Sequence, residues 1–593
     1  MKWLATIGAP ERSSYNAAMK THLRFIMLAA TLLAAPALAQ DLPEAATGRT
    51  AAKSGTAKSY MVVAANPLAG KAGADILAAG GSAADAAIAV QLVLGMVEPQ
   101  SSGVGGGAFA LYWDRKAGKV ASYDGRETAP AAAEERRFLT KDGQPMSRRQ
   151  AMVGGKSVGV PGVMRLLELL HKQHGKLPWA KVFEPAIAIA DNGFAISPRL
   201  YELLAGDSAF AANPVARAYY YQANGQPKPV GTVLKNPEFA KVLRAVASKG
   251  ADAFYTGAIA ADVVRAVTMA TNNPADMTLD DMKAYRAVER PPVCGLYRTY
   301  KVCGVGPPSS GGVGVLETLG VLEKFDLRAM GPQSATAEHL LIEAGRLAFA
   351  DRAVYLADPD KVAVPADALI SPAYLKERAA LVAIDKRMPQ AEAGKVPVKG
   401  ALNYVPAASP ELPGTSHFSI VDADGNALAM TTSVEAQFGA RLMVDGFVLN
   451  NQLTDFSYED VAQNRAVANR VEGGKRPRSS MSPTLVFNQD GKFEMALGSP
   501  LGAAIVGLVV KTLVGMIDWQ MTPAEAAAQP GALLFGGGVM IEKELEPVKP
   551  ALEALGHRIN VGEYASGIHV IRVTKDGLLG GADPRREGVV LGK

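Results

Sequence analysis

The sequence changes its pattern at residues 385–408, a polar stretch that contains Pro and Lys and shows little periodicity. Before this stretch, across residues 162–282, the apolar spacing is mostly helical and is interrupted by Gly and Pro. After it, strands are predicted at His417–Val421 and Ala427–Thr432, joined by a turn at 423–426. Helices and strands that come in separate runs predict a layered α+β fold rather than a doubly wound sheet, with 385–408 as a linker.

The part before the linker carries a glycine cluster, 103–107, which leads into a predicted strand at Phe109–Trp113. Two helices are predicted ahead of the cluster, between Ala64 and Pro99, with Ser82 as the N-cap of the second. Residues 40–58 are rich in Ala, Lys, Thr and Gly, which predicts a loose lead-in. In the C-terminal part, strands are predicted near Phe447, Val486 and Glu494, followed by a helix from Ala503 to Ile517.

The N-terminal residues have the pattern of an export leader. Lys20, His22 and Arg24 precede an apolar run at Phe25–Leu33, and Ala37-Leu38-Ala39 follows it. A charged region, a short apolar region and an A-x-A site are typical of a signal peptide, and the run is too short to span a bilayer. We expect 1–39 to be a leader, with Met19 as an alternative start. The mature protein should be periplasmic or secreted, without a membrane span.

Charge and composition argue against two classes of function. The formal net charge of +5 is small for 593 residues and the basic residues are scattered, so nucleic-acid binding is not expected. The seven histidines and two cysteines form neither an H-E-x-x-H nor a C-x-x-C pattern. No metal and no other cofactor is therefore expected.

Cys294 and Cys303 flank a segment that predicts a β-hairpin turning at Arg298-Thr299. Their positions are symmetric about this turn, so their side chains should face each other across the two strands. A disulfide between them would suit an exported protein, and two free structural thiols remain the alternative.

Two motif matches lack the context that their functions require. Residues 155–159 fit G-x-S-x-G, but the serine-hydrolase elbow needs a buried strand before it and a helix directly after it. Here a polar, Arg-rich stretch precedes the match and Val160-Pro161-Gly162 follows it. The cluster 103–107 resembles a dinucleotide fingerprint, but it opens a strand instead of a helix. We assign neither function.

Gly414-Thr415 lies where the chain passes from the linker into the first strand of the C-terminal part. Glycine tolerates strained backbone angles, so the peptide bond that follows it can be distorted toward attack by the neighbouring hydroxyl group. Gly-Thr pairs before strands are common, and this pair by itself indicates no reaction. The surrounding segments decide its interpretation.

The run from Gly414 to Asp422, Gly-Thr-Ser-His-Phe-Ser-Ile-Val-Asp, resembles the processing site of the gamma-glutamyltransferase family. Further collinear segments between Met61 and Arg585 resemble the same family: Asp124–Pro130 (DGRETAP), Pro307–Gly312 (PPSSGG), Asn450–Ser457 (NNQLTDFS), Lys475–Thr484 and Gly498–Gly502. The resemblance implies a four-layer αββα N-terminal-nucleophile hydrolase sandwich. It also implies that the precursor cuts itself before Thr415 into a large subunit, 40–414, and a small subunit, 415–593, which remain together as a heterodimer.

The resemblance implies that the freed Thr415 carries the reaction, with its hydroxyl as nucleophile. Its α-amine would act as general base, since such a group titrates at about pH 8. No catalytic histidine is then needed, and we expect His417 to be structural. The enzyme would cleave γ-glutamyl amides of glutathione and related donors through a γ-glutamyl-threonine ester. The acyl group would pass to water or to an amino acid or peptide acceptor.

The resemblance also assigns roles to side chains around the nucleophile. A γ-glutamyl group carries an α-carboxylate and an α-ammonium, and both need partners once they are desolvated. The positions that match the carboxylate partners of the family are Arg126, Ser479 and Ser480, and those that match the ammonium partners are Glu435, Gln452 and Asp455. Ser433 matches a threonine that hydrogen-bonds the nucleophile. Leu501 and Gly502 match a pair whose N–H groups form the oxyanion hole.

Three positions depart from the pattern of the family. Leu501 replaces a glycine of the oxyanion hole, Glu435 replaces an asparagine, and the lid between Ser457 and Lys475 looks shorter than in some bacterial relatives. A carboxylate at Glu435 still favours an ammonium. The alternative within the same chemistry is a cephalosporin-acylase-like amidase that prefers glutaryl groups. A non-catalytic exported binding protein on this scaffold would be expected to have lost Thr415 or Arg126.

Overall fold

The computed structural model describes residues 51, 53–396, 404–406, 414–459, 461–462, 465–535 and 538–593. The predicted leader, 1–39, lies outside the described residues, as does part of the predicted linker. Within the described ranges, no helix is both long enough and apolar enough to cross a membrane.

The strands, in chain order, are β1 Lys53–Ala57, β2 Met61–Ala64, β3 Gly107–Asp114, β4 Lys119–Gly125, β5 Phe194–Ala195, β6 Val233–Leu234, β7 Val288–Arg290, β8 Val293–Tyr297, β9 Tyr300–Gly304, β10 Ser416–Val421, β11 Ala427–Ser433, β12 Met443–Val444, β13 Phe447–Val448, β14 Val461–Ala462, β15 Arg465–Ala466, β16 Thr484–Phe487, β17 Phe493–Gly498, β18 Ala532–Phe535, β19 Gly538–Ile541, β20 Ile559–Val561, β21 His569–Thr574, β22 Gly577–Ala582 and β23 Val589–Gly592.

The α-helices are α1 Pro67–Ala78, α2 Ala83–Val97, α3 Arg148–Met152, α4 Val163–His174, α5 Glu184–Asn192, α6 Pro198–Gly206, α7 Ser208–Ala211, α8 Pro214–Tyr220, α9 Pro237–Lys249, α10 Asp252–Tyr255, α11 Gly257–Thr268, α12 Leu279–Ala284, α13 Gly311–Leu322, α14 Leu327–Met330, α15 Ala335–Tyr355, α16 Ala366–Leu369, α17 Pro372–Ala380, α18 Ile505–Ile517, α19 Pro523–Ala528 and α20 Lys549–Ala554.

Two antiparallel sheets form the centre of the molecule. The sheet whose strand β10 directly follows the predicted nucleophile, Thr415, is called the nucleophile sheet and has the strand order β23-β2-β10-β11-β3-β4-β7. The facing sheet has the order β1-β22-β21-β17-β16-β9-β8. Strands β10 and β11 pair in register from Ser416↔Thr432 to Val421↔Ala427, and every residue of both strands is buried. These two strands lie at the middle of the nucleophile sheet, covered on both faces.

Alternation along the strands separates two apolar layers. In β2, Val62 and Ala64 belong to a cluster with α1, α2 and α4, whereas Met61 and Val63 belong to a cluster between the two sheets that continues to α13, α15 and α18. Successive side chains of a strand point to opposite faces, so each sheet has helices on one side and the other sheet on the other. The fold is the predicted α+β sandwich with helix, sheet, sheet and helix layers.

The local signals that predicted the first elements correspond to observed contacts. Ser82 caps α2 through a capping box, in which its hydroxyl accepts from the N–H of Asp85 and the Asp85 carboxylate accepts from the N–H of Ser82. The glycine cluster opens β3, as the pattern predicted. A Cβ at Gly106 would lie 2.1 Å from the carbonyl oxygen of Ser433, so the close approach of two backbones requires glycine there.

Three predictions can be compared directly with the structure. The prediction of a loose lead-in across 40–58 is wrong for Lys53–Ala57, which forms β1 and pairs with β22. Cys294 and Cys303 face each other in the β8–β9 hairpin with Cα atoms 4.1 Å apart, and a disulfide joins them. Residues Gly155–Ser157 form a short 3₁₀ helix, in which the Ser157 hydroxyl donates to main-chain carbonyls instead of standing exposed on an elbow.

Candidate active site

Thr415 lies directly before β10, at the middle of the nucleophile sheet, and is 3% exposed. The pairing Ser416↔Thr432 continues by one residue to place Thr415 beside Ser433, the last residue of β11. On the other side of β10, pairing with β2 ends at Phe418↔Ala64. The sheet therefore has an opening in its strand pairing next to Thr415, the predicted nucleophile.

Ser433 makes three hydrogen bonds at this opening. It donates to the carbonyl oxygen of Gly414 at 2.9 Å, and it accepts from the Thr415 hydroxyl at 3.2 Å and from the N–H of Glu435 at 2.8 Å. The Thr415 hydroxyl also contacts the carbonyl oxygen of Gly414. The Thr415 hydroxyl and the Gly414 carbonyl group are thus held together, and the Ser433 hydroxyl donates to that carbonyl oxygen.

Gly414 packs tightly against the chain that follows β11. A Cβ at this position would lie 2.3 Å from the carbonyl oxygen of Glu435 and 3.1 Å from the carbonyl carbon of Ala436. No side chain fits there without a backbone shift. The glycine before Thr415 is therefore required by a close backbone approach.

Arg126 is completely buried beside the loop that follows β13. Its Nε donates to the carbonyl oxygen of Pro477 at 3.0 Å, and its Nη2 donates to the carbonyl oxygen of Arg478 at 2.8 Å and contacts the Asp455 carboxylate. Nη1 has no hydrogen-bond acceptor among the described residues. The guanidinium group is held rigidly, with one N–H arm left for a ligand.

Two neutral polar atoms beside this ion pair also lack hydrogen-bond partners in the described part of the chain. Gln452 donates through Nε2 to Asp455 at 3.0 Å, which leaves its buried Oε1 without a donor. The hydroxyl of Ser480 is buried and unbonded, whereas the Ser479 hydroxyl accepts from the N–H of Met481 at 3.1 Å. Burying such groups without partners is costly, so their presence is typical of a binding site.

Glu127 contributes little negative charge next to Arg126, because it favours its neutral form. Burial raises the pKa of Glu127 to about 8, although Arg126 opposes the shift. At neutral pH its contact of 3.8 Å with Arg126 is therefore mainly a contact between a cation and an uncharged acid. The positive charge of Arg126 is balanced by Asp455.

Glu435 follows Ser433 by two residues, donates its N–H to the Ser433 hydroxyl and is 3% exposed. Its φ of 78° is in the left-handed region, which asparagine and glycine adopt more readily than glutamate. Burial raises the pKa of the Tyr458 phenol, Arg148 opposes the shift, and the carboxylates of Asp455 and Glu435 add to it. The Tyr458 ring stacks on Phe138 with centroids 4.8 Å apart.

The predicted oxyanion residues lie at the end of β17. Leu501 has a φ of 106°, and Gly502 begins a 3₁₀ helix, so its N–H is free of an intrahelical acceptor. Left-handed backbone in a residue with a Cβ costs about 1–3 kcal/mol. The Leu501 side chain is 3% exposed within the cluster between the sheets, and burial of a leucine contributes about 1.5–3 kcal/mol. Burial of the side chain offsets the backbone cost.

Histidines near Thr415 are buried in the sheet. His417 hydrogen-bonds Thr431 at 2.9 Å, and Gly498 leaves room for its ring, since a Cβ there would lie 2.3 Å from the imidazole. Burial lowers the pKa of His417 well below its usual value. This neutral side chain packs β10 against the end of β17. Among the described residues, no group of three His, Cys, Asp or Glu side chains is placed to bind a metal ion.

The sequence analysis missed two buried charged residues that contact Thr415 and Ser416. Arg586 donates from Nη1 to the carbonyl oxygen of Thr415 at 2.7 Å, and the Ser416 hydroxyl donates to the Glu98 carboxylate at 2.7 Å. Glu98 directly follows α2, and Arg586 precedes β23. The signal in the sequence is weak: Pro99 follows Glu98, and Arg586 lies between Pro584 and Gly588.

Comparison with known proteins identifies the relatives of this arrangement. The sequence profile described as Gamma-glutamyltranspeptidase matches residues 69–593. The chain belongs to this family. The Glutathione hydrolase proenzyme of Escherichia coli (strain K12) is 36% identical over 89% of this chain and 91% of its own length. The Acylase ACY 1 proenzyme of Pseudomonas sp. (strain V22) is 34% identical over 89% and 92%. The chain is thus an enzyme of the gamma-glutamyltranspeptidase family.

Solved structures include both kinds of relative. A cephalosporin acylase from Bacillus halodurans has a TM-score of 0.78 at 26% identity, covering 93% of this chain and 98% of its own. A gamma-glutamyltranspeptidase from Helicobacter pylori has a TM-score of 0.53 at 33% identity, covering 56% and 93%. Enzymes named for γ-glutamyl groups and enzymes named for cephalosporins share this fold. The fold therefore does not determine which acyl donor is used, and the donor has to be inferred from the residues of the pocket.

Proposed function

We propose that this protein is an exported, self-processing amidase that cleaves γ-glutamyl amides, such as glutathione, with Thr415 as its nucleophile. The observation that carries the proposal is the hydrogen-bonded group of Thr415, Ser433 and the Gly414 carbonyl at the opening of the nucleophile sheet. The reaction begins with maturation and continues with turnover.

Maturation uses the same groups as catalysis. The Thr415 hydroxyl attacks the carbonyl carbon of Gly414, and Ser433 stabilises the oxygen on which negative charge develops. The C–N bond breaks, the nitrogen leaves as the α-amine of Thr415, and Gly414 becomes esterified to the Thr415 oxygen. Water then hydrolyses this ester, leaving a Gly414 carboxylate and a free Thr415 hydroxyl. The products are the subunits 40–414 and 415–593, held together by the shared sheets.

Turnover follows from the freed N-terminus. The α-amine of Thr415, with an ordinary pKa of about 8, accepts the hydroxyl proton as the oxygen attacks the γ-carbonyl of the donor. N–H groups of Leu501 and Gly502 bind the oxyanion, and the proton passes to the departing amine. The γ-glutamyl ester is then resolved by water or by an acceptor amine.

Donor recognition depends on the unbonded atoms of the pocket. The Nη1 of Arg126 and the hydroxyl of Ser480 are donors suited to an α-carboxylate, while the Oε1 of Gln452 is an acceptor suited to an α-ammonium. Asp455 and Glu435 add negative charge around that ammonium. A glutaryl group lacks the ammonium and would leave the acceptor side of the pocket unsatisfied.

The donor is tested by comparing γ-glutamyl and glutaryl p-nitroanilides, which differ only in the α-amino group, on the purified wild-type enzyme. Sites that hydrogen-bond a polar group reject analogues without it, by up to about 10⁴–10⁵-fold, and we expect about a hundredfold preference in kcat/KM for the γ-glutamyl donor under a short lid. Equal rates, or a faster glutaryl reaction, would instead establish the acylase function suggested by the cephalosporin-acylase relatives.

A further inference from the structure

Arg586 is a buried cation that contacts Thr415 and that the donor recognition proposed above does not use. It is 2% exposed, donates to the Thr415 carbonyl oxygen at 2.7 Å, and donates from Nε to the carbonyl oxygen of Ala565 at 3.1 Å. Its position follows from the topology of the sheet. Strand β2 ends at Ala64, and β23 begins opposite it at Val589, so the chain just before β23 reaches the gap beside Thr415.

The side chain of Arg586 replaces a missing strand at that gap. A central strand normally finds donors for its carbonyl oxygens on both neighbours, but β10 has no pairing partner in β2 beyond Phe418. The guanidinium group supplies the donor for the Thr415 carbonyl without filling the opening with main chain. The bond restricts rotation of the Thr415 main chain, which also carries the Cβ and the hydroxyl group.

The charged groups near this bond are Glu98 after α2, Arg199 on α6 and Glu587 before β23. Glu98, after α2, lies 3.6 Å from the Nε of Arg199 on α6, and its carboxylate accepts from Ser416. Glu587 accepts from the main-chain N–H of Arg199 at 3.3 Å. Burial raises the pKa of Glu98, and the positive charges of Arg199 and Arg586 oppose this shift. On the neighbouring strands β10 and β21, burial lowers the pKa of His417 and that of His569, the latter to about 3, so both rings are neutral.

We propose that Arg586 is a positioning residue of the reaction, which fixes the main chain of Thr415 and, after scission, keeps the α-amine of Thr415 in its neutral, proton-accepting form. The inference rests on the proposed function, because it takes Thr415 as the nucleophile. Covalent geometry places the α-nitrogen about 4–6 Å from a guanidinium bonded to the carbonyl oxygen of the same residue. A cation at that distance disfavours an ammonium, and Glu98 and Glu587 reduce this effect without contacting Thr415.

The test is a set of pH–rate profiles on Arg586→Gln, Arg586→Lys and the wild type, with a γ-glutamyl p-nitroanilide as donor. Loss of the cation in Arg586→Gln should move the acidic limb of kcat/KM about one unit toward higher pH, since the α-amine then holds its proton more tightly. Lysine keeps the positive charge but lacks the two-armed guanidinium group, so the acidic limb of the Arg586→Lys profile should stay at the wild-type position. Both variants should lose about tenfold or more in kcat with KM changed by less than about twofold.

Arg572→Gln is the matched control, because Arg572 is a partly buried arginine of the same subunit whose guanidinium pairs with Glu494 at 2.8 Å. Its profile should equal that of the wild type. Should the glutamine variant fail to fold, Arg586→Lys still decides the matter through its lowered kcat at unchanged KM. An unshifted limb in Arg586→Gln, an unchanged kcat in Arg586→Lys, or the same changes in Arg572→Gln would overturn the inference. If wild-type enzyme is processed and active in these experiments, such a result leaves the proposed function intact.

Discussion

Ser433 donates a hydrogen bond of 2.9 Å to the carbonyl oxygen of Gly414 and accepts one of 3.2 Å from the hydroxyl of Thr415. One hydroxyl group thus contacts both the atom that would attack and the carbonyl that would be attacked in the proposed maturation. The arrangement is the one expected of a precursor before that cleavage. It assigns Ser433 a part in maturation that can be measured separately from turnover.

Ser433→Ala should slow maturation by about 10²–10³-fold, the usual effect of removing one oxyanion donor. Ser433→Thr retains the hydroxyl group and should process at a rate near that of the wild type. Thr432→Ala is the control, because the hydroxyl of Thr432 lies on the same strand but donates to Gly107. The measurement is the time course of the single chain on a denaturing gel. Equal rates for the alanine variant and the wild type would exclude this role of Ser433.

Gly414→Ala tests the close approach at the junction. The new Cβ would lie 2.3 Å from the Glu435 carbonyl oxygen, so the scissile carbonyl must move away from Thr415, and processing should slow markedly. Gly507→Ala in α18 is the matched control, since a Cβ there meets no atom within 4 Å. It should process normally and gain about 0.5–1 kcal/mol in unfolding free energy. Normal processing of Gly414→Ala would show that this contact is not what selects glycine.

Glu435→Asn separates the backbone role of this position from its charge. Asparagine adopts a φ of 78° more readily than glutamate, so the melting temperature of the variant should not fall. The pocket loses one negative charge near the donor ammonium, and the preference for γ-glutamyl over glutaryl anilide should decrease by about tenfold, as expected for loss of one charged partner. An unchanged preference would mean that the Glu435 carboxylate does not act on the donor.

Local patterns were sufficient to predict the elements around the nucleophile. The β10–β11 hairpin, the cap of α2 at Ser82 and the hairpin of Cys294 and Cys303 each depend on residues close in the sequence, and each is present in the structure. The order of the layers came from the family resemblance, since no local pattern determines which sheet faces which.

Contacts between distant parts of the chain could not be predicted in the same way. Arg586 and Thr415 are 171 residues apart, and Glu98 and Ser416 are 318 apart, so no spacing rule connects them. Strand β1 was missed for a related reason: its residues are small and polar, and its stability comes from pairing with β22 near the other end of the chain. The contact between Arg126 and Asp455 was not predicted either, because the family resemblance assigned Arg126 to the α-carboxylate of the donor and Asp455 to its α-ammonium.

The most direct test of the account is the N-terminal sequence and intact mass of the chains in purified wild-type protein, beside Thr415→Ala and Thr415→Ser. The wild type should yield a small chain that starts at Thr415-Ser416-His417 and ends at Lys593, with Gly414 at the end of the large chain. Thr415→Ser keeps a hydroxyl group and should still be cleaved at the same bond, whereas Thr415→Ala should remain a single chain. Cleavage of Thr415→Ala at this bond, or a wild-type small chain that starts at another residue, would contradict the assignment of Thr415 as the nucleophile.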